Sequence, residues 1–227
     1  MMAKVLVIAA HPDDEALGAG GVMAKHVLQG DGVSVAILGT GIASRKAKGE
    51  DISSELRALR KEAKRANAKL GVKEVAFLDF PDNSFDSVPL LEIVKAVERI
   101  VSDKKPDIVY THHFGDLNID HRRTFEAVMT ACRPTGGCSV KKILCFEVPS
   151  STEWNVQTTK NVFIPNVFIE ITKVLKKKTA ALREYKGETR AFPHPRSLET
   201  VQALARLRGS AVGVSAAEAF ELVREIL

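Results

Sequence analysis

The first apolar run constrains this chain most. Lys4-Val5-Leu6-Val7-Ile8-Ala9-Ala10 is apolar at almost every position and leads straight into His11-Pro12-Asp13-Asp14-Glu15. A strand with one wet face alternates apolar and polar side chains. An unbroken run is expected instead of a strand buried on both faces, the habit of parallel sheets covered by helices. The stretch also has the outline of a short signal peptide. Its apolar part is brief, however, and passes directly into a charged turn, so it reads as a first strand.

The remainder of the chain supports that frame. Further strands are expected at Val33–Leu38, Val75–Leu78, Asp107–Thr111 and Ile143–Val148, with another at Val162–Thr172. Between them, Leu90, Ile93, Val94, Val97, Ile100 and Val101 recur at helical spacing. Ser53–Leu70 reads as a helix that stops at Gly71, a natural position for a left-handed cap. Gly20-Gly21 fall early in the helix that follows the first strand, and Val174–Tyr185, Leu198–Arg208 and Ala216–Leu227 read as mostly helical. No repeat or linker interrupts the pattern. The expectation is one α/β domain spanning 1–227, a mainly parallel sheet flanked by helices, with a helical C-terminal segment. In such sheets ligands bind beyond the carboxyl ends of the strands.

Charge and cysteine content exclude some functions. The net charge is +5, but the basic residues are dispersed and carry no interleaved aromatics of the kind a nucleic-acid surface uses. The one tight run, Lys176-Lys177-Lys178, reads as a solvated helix face. No apolar run reaches the ~20 residues of a membrane span. The three cysteines, Cys132, Cys138 and Cys145, are odd in number and lack C-x-x-C spacing, which points to a cytoplasmic protein without disulfides or a thiolate metal site.

Chemistry concentrates at two strand ends. The first strand runs into His11-Pro12-Asp13-Asp14-Glu15, the fourth into His112-His113-Phe114-Gly115-Asp116-Leu117-Asn118-Ile119-Asp120-His121-Arg122. Four of the six histidines lie in these two places. A turn at Pro12 would aim His11 and Asp14 at one ion, and His121 would complete a set of three ligands with a position left for water. Asp13 would then hydrogen-bond that water without ligating the ion. The competing account is a surface turn followed by an acidic helix N-terminus, where carboxylates favour the macrodipole. That account leaves the second cluster unexplained.

Ala10-His11-Pro12-Asp13-Asp14-Glu15 after a first strand, followed by Asp120-His121, resembles the PIG-L/LmbE-like N-deacetylases. The likeness covers essentially the whole chain, including the tail Phe192-Pro193-His194-Pro195-Arg196-Ser197-Leu198-Glu199. It implies a Rossmann-like fold and zinc-dependent removal of acyl groups from glucosamine-containing substrates. Carried over by position, the zinc ligands are His11, Asp14 and His121, and the general base is Asp13. One position departs: where many members have a histidine three residues before the last ligand, this chain has Asn118, which can donate a hydrogen bond but cannot carry charge. Either Asn118 is a neutral oxyanion donor or another residue, with His194 the candidate, supplies the charged role. His112 and His113 are further candidates that also suit structural duty. Asp82 is implied as a substrate contact, against a plain Pro-Asp-Asn-Ser turn signal. An arginine of the second helix is implied to grip the substrate, with Arg60 favoured over Arg57. Arg122 could cover a helix surface or meet a phosphate, and Trp154 offers a face for a sugar ring or packs.

The expected partner is a small-molecule amino-sugar conjugate, with no nucleic acid and no membrane, and the resemblance adds a homo-oligomer of trimer or hexamer type. Two other classes are weighed. A nucleotide-binding Rossmann-like protein would need a glycine-rich loop where this chain has two carboxylates. A catalytically inactive zinc-binding regulator would have no need of Asp13.

Overall fold

A computed structural model of the chain describes residues 2–42 and 51–227. The elements run β1 (Lys4–Ala9), α1 (Asp14–Leu28), β2 (Gly32–Gly39), α2 (Ser53–Leu70), β3 (Glu74–Phe80), α3 (Leu90–Lys104), β4 (Ile108–His112), α4 (Ile119–Ala131), β5 (Lys142–Phe146), β6 (Val167–Glu170), α5 (Leu175–Leu182), α6 (Leu198–Ser210) and β7 (Ala217–Glu225). One sheet of seven strands has the order β3-β2-β1-β4-β5-β7-β6. Strands β3 to β5 are mutually parallel, and β7 is antiparallel to both β5 and β6.

The unbroken run of β1 is explained by the layers. Val5 and Val7 pack into a core with residues of α1, α2, α5 and α6, such as Leu59, Leu182 and Val201. Leu6, Ile8 and Ala10 pack into the opposite core with Ile93, Val97 and Val128 of α3 and α4. With apolar layers above and below, neither face of β1 has use for a polar side chain. The chain leaves β1 toward β2 on one side and later returns to β4 on the other, so the crevice between the carboxyl ends of β1 and β4 is the switch point of the sheet.

The predicted helix from Ser53 ends where expected, with Gly71 at φ 90°, a conformation that costs glycine little. Two expectations are corrected. Ala216–Leu227 is strand β7 and not a helix. Its alanines, glutamates and leucines are good helix formers, but pairing with β5 on one side and β6 on the other, with Ala217 to Phe220 buried, overrides that preference. The basic run at 176–178 is not wholly solvated either. Lys178 is buried, donating to the Leu17 carbonyl at 2.7 Å and to Glu218 at 2.6 Å. Among the described residues, no helix is long and apolar enough to cross a membrane.

Candidate metal centre

The switch point gathers His11, Asp14 and His121. One ligand atom from each lies within 4.8 Å of the others, a set able to hold a metal ion. His11 leaves β1, Asp14 opens α1 and His121 sits in the first turn of α4. Asn118 explains why α4 begins there: as N-cap its side chain accepts from the Asp120 N–H at 2.8 Å. Its amide donates to Asn83 at 2.9 Å. The residue that departs from the family pattern is thus engaged as a helix cap.

The two imidazoles are braced alike. His11 Nε2 meets Asp120 Oδ2 at 2.8 Å and Asp82 Oδ1 at 3.3 Å, which leaves Nδ1 facing Asp14 Oδ2 at 3.4 Å. His121 Nδ1 meets Asp116 Oδ1 at 3.1 Å, and its Nε2 lies 3.2 Å from Asp14 Oδ2. That last approach lacks the alignment of a hydrogen bond, and both His121 Nε2 and Asp14 Oδ1 are buried without a hydrogen-bond partner. A carboxylate behind each histidine, fixing the tautomer so that the other nitrogen offers a lone pair, is the usual support of metal-ligating imidazoles.

The supporting carboxylates are themselves held. Asp120 accepts from the Asn83 and Phe85 N–H groups at 2.6 and 2.9 Å, and Asp116 from the Ser151 and Thr152 hydroxyls. His11, Asp82 and Asp120 form a second set of closely spaced donors. With both Asp120 oxygens taken by backbone donors, that set reads as the brace behind His11.

Charge tells the same story. Burial works against protonation of the imidazoles, yet Asp120 and Asp14 raise His11 to about 9. Asp14 and Asp116 likewise raise His121 to about 10. Asp14 is driven well below the ordinary carboxylate value, because the imidazoles beside it outweigh its burial. These shifts have one geometric source, the carboxylates of Asp14, Asp116 and Asp120 packed against two buried imidazoles. Two imidazoles, a carboxylate and two orphaned buried atoms fit a divalent cation.

Asp13 stands beside this set. It is buried, with φ 102°, a left-handed conformation that costs a non-glycine residue about 1–3 kcal/mol. Its N–H donates to Glu15 at 3.1 Å, and Glu15 is fixed by the Tyr185 hydroxyl and by Asn67 at 2.9 Å. Arg196 donates to Asp13 Oδ2 at 2.9 Å, to Glu188 at 3.2 Å and to Ser150 at 2.7 Å. Burial pushes the Asp13 carboxyl well above its ordinary value, with Arg196 opposing.

His194 lies two residues from Arg196, accepts the Arg196 N–H at Nδ1 (3.0 Å) and meets the Trp154 ring edge-on at 5.9 Å. Asp82 is buried against His11. The contacts of Arg60 lie on β3: it is anchored by the Leu78 carbonyl at 3.0 Å and Asp79 at 2.5 Å, over the face of Phe77, while Arg57 is exposed. Arg122 latches the Asp116 and Leu117 carbonyls, both at 2.6 Å. His112 and His113 are structural. His112 accepts the Ala10 N–H at 2.8 Å and, kept neutral by burial, stacks on His121 at 3.9 Å; His113 bridges Glu221 and the Asn161 carbonyl. Sequence reasoning assigned no role to Glu15, Asp116, Asp120, Ser151, Thr152, Glu188 or Arg196. Asp116 and Asp120 stood in the quoted strand-end run and Arg196 in the quoted tail, but nothing local ties Arg196 to its partner Asp13, 183 positions away.

A buried His/Asp/His set that could hold a metal ion, with the Asp13 carboxylate beside it, thus lies at the switch point of an α/β sheet. The PIG-L family model, described as GlcNAc-PI de-N-acetylase, matches residues 6–132, and the chain belongs to that family. The diacetylchitobiose deacetylase of Thermococcus kodakarensis is 30% identical over 201 residues, covering 82% of this chain and 70% of that protein. The 4-oxalmesaconate hydratase of Pseudomonas putida is 28% identical over 203 residues, covering 82% and 74%. The solved N,N'-diacetylchitobiose deacetylase from Pyrococcus horikoshii, complexed with its inhibitor MPG, superposes with a TM-score of 0.78 at 22% identity, covering 98% of this chain and 84% of that one, and so shares the fold.

Proposed function

We propose that this chain is a zinc-dependent deacetylase that hydrolyses the N-acetyl group of an N-acetylglucosamine-type sugar. The observation that carries the reading is the pair of imidazoles, each braced by a carboxylate and turned toward Asp14, beside a buried Asp13 that lies outside the ligand set. His11, Asp14 and His121 would hold the ion, three ligands of the types that leave a catalytic zinc a position for water. When bound, zinc lowers the pKa of water toward ~7 and polarises an acyl oxygen.

The chain's own residues do the rest. Asp13, oriented by Arg196 and by the Glu15 contact, takes the proton of the attacking water and returns it to the departing amine. The products are acetate and a free amino sugar. His194 assists the developing oxyanion: with Nδ1 accepting the Arg196 N–H, the ring proton sits on Nε2, the form that donates. Asn118 keeps its capping place and is the neutral alternative donor. Asp82, buried beside His11, receives sugar hydroxyls. Arg60 has no part in this reading. A cytoplasmic location, in keeping with the free thiols of Cys132, Cys138 and Cys145, belongs to the same proposal.

Family membership alone does not choose the bond attacked, since a relative of similar identity is named a hydratase. The test is a panel of N-acetylated sugars assayed for free amine, with chelation, zinc restoration and the Asp13→Ala variant as controls. Amine release that zinc restores and Asp13→Ala abolishes supports the reading. Hydration of an unsaturated dicarboxylate without amine release from any sugar would overturn it.

A further inference from the structure

The amino ends of the strands, at the far side of the sheet from the metal centre, hold a second concave surface. β3 is an edge strand and begins at Glu74, beside Ser34 of β2. α2 closes at Leu70 on one face of the sheet and α3 at Lys104 on the other. Lys64 and Ala68 stand about one turn apart on α2, as do Ile100 and Lys104 on α3. The base that these helix ends frame holds two adjoining hollows of about 790 and 600 Å³, which share Ser34, Gly71, Lys73, Glu74 and Lys104. Sites for small organic molecules run to about 300–1,000 Å³. The six residues of β1 separate this base from the metal centre, a rise of roughly 20 Å.

The lining divides by chemistry. Leu6, Val35, Val72, Val75 and Ile100 give it an apolar floor, and Lys4, Lys64, Lys73 and Lys104 stand round the rim. Lys104 is already employed. Glu74 lies 3.1 Å and Asp103 3.0 Å from its Nζ, and in the last turn of α3 it offsets the negative helix end. Asp31 of the rim is likewise taken, by His26 at 2.7 Å and the Ala3 N–H at 2.8 Å. The other three lysines are exposed and lie outside the last turn of any helix. Among the described residues Lys4 and Lys73 form no ion pair, and Lys64 has only the Phe77 ring, 5.9 Å from its Nζ. One solvated lysine is ordinary. Three uncompensated ammonium groups round one apolar hollow make a surface that draws an anion to its rim and an apolar body to its floor.

The kind of anion follows from the rim. Lysine offers a point charge on a flexible apolar stem. Among the described residues no arginine lines the hollows, so the planar fork that suits a phosphate is missing. Gly71 and Lys104, at the carboxyl ends of α2 and α3, do line them, and those negative ends disfavour a doubly charged group. We propose that this base is a binding site for an organic monocarboxylate with an apolar chain or ring. The site is separate from the metal centre and does not depend on the deacetylase reading.

The probe is 8-anilinonaphthalene-1-sulfonate, an apolar ring system with one negative charge. Titrated into the chain, its emission should rise and saturate at one dye per chain. Decanoate should displace it, whereas decanol and inorganic phosphate, each with half of that chemistry, should do so at least about tenfold less effectively. Lys64→Glu/Lys73→Glu should weaken both dye and decanoate at least about tenfold, and Lys64→Arg/Lys73→Arg should keep wild-type affinity. Both lysines are exposed, so both double variants should keep the wild-type circular dichroism and Tm. Ala76→Trp, which fills the hollow without touching its charge, should weaken the dye by a similar factor. Dye binding that survives the charge reversal, or displacement by phosphate as effective as by decanoate, would overturn the proposal. So would a concentration-dependent dimer that excludes the dye and dissolves on charge reversal, since the occupant would then be a second copy of the chain. Amine release at the metal centre is measured independently of every one of these results.

Discussion

The buried Lys178–Glu218 pair gives a stability prediction that can be worked from the contacts. Lys178 donates to Glu218 at 2.6 Å and to the Leu17 carbonyl at 2.7 Å, and Glu218 accepts the Gly21 and Val22 N–H groups of α1, both at 2.7 Å. Gly21 permits this approach: a Cβ there would meet Ile171 at 2.8 Å and the Glu218 carboxylate at 3.0 Å. Lys178→Met keeps the aliphatic stem but leaves a carboxylate buried without its cation. Removing one member of a buried pair costs about 3–5 kcal/mol. The two backbone donors that remain on Glu218 place this case at the lower end, about 3 kcal/mol. At roughly 2–4 °C per kcal/mol for a chain of this size, Tm should fall by about 6–12 °C. Urea unfolding should show the same loss with an unchanged m-value. The double variant Lys178→Met/Glu218→Met leaves no buried charge, while the helix N–H groups keep carbonyls within α1 as acceptors, so its loss should be well below the sum of the single losses. A Lys178→Met loss under about 1 kcal/mol, or strict additivity in the double variant, would refute the reasoning.

Two further predictions follow from the same kind of reading. Asp116→Asn weakens the carboxylate behind His121 and should reduce metal affinity by about 10–100-fold, measured by chelator competition; unchanged affinity would remove Asp116 from the support of the site. His113 is disfavoured as a cation by burial, but the Glu221 carboxylate and the Asn161 carbonyl outweigh this and raise its pKa. A raised folded value gives stability that is complete below the unfolded pKa of about 6.5 and is lost as pH rises through the folded value. Wild type should therefore lose more stability than Glu221→Gln between about pH 6 and pH 8.5 in urea titrations, and equal slopes would rule the pair out as the source.

How much was legible follows from how local each signal is. β1 was readable because both of its faces are covered, and α2 because its run ends on a glycine at positive φ. His11, Asp14 and His121 were readable because strand ends at a switch point expose polar residues that nothing else in a buried layer explains. β7 was not readable: Ala217-Glu218-Ala219-Phe220 has helical composition, and only its two neighbouring strands make it extended. Lys178 was misjudged because its counter-charge, Glu218, lies 40 positions away on β7. Arg60 was placed by analogy with a helix position, and in the fold it pairs with Asp79 and the Leu78 carbonyl near the end of β3. Asn118 looked like a defect in the catalytic pattern, and the structure gives it an ordinary reason as the cap of α4.

The family match ends at residue 132, and the division is instructive. His11, Asp13, Asp14, Asp82, Asp116, Asp120 and His121 all fall inside it, so the proposed ligands, their carboxylate braces and the base lie within the span of the family model. Ser151, Glu188, His194 and Arg196 fall outside, and among them Arg196, bonded also to Glu188 and Ser150, steadies Asp13. A centre that activates water can serve an amide or a carbon–carbon double bond, because the nucleophile is the same in both. What differs is which electrophilic atom the mouth delivers to it and which group stands ready to take up the developing charge. On the proposed reading, Asp82 meets the sugar from within the matched span, while Arg196, from beyond it, reaches back to Asp13.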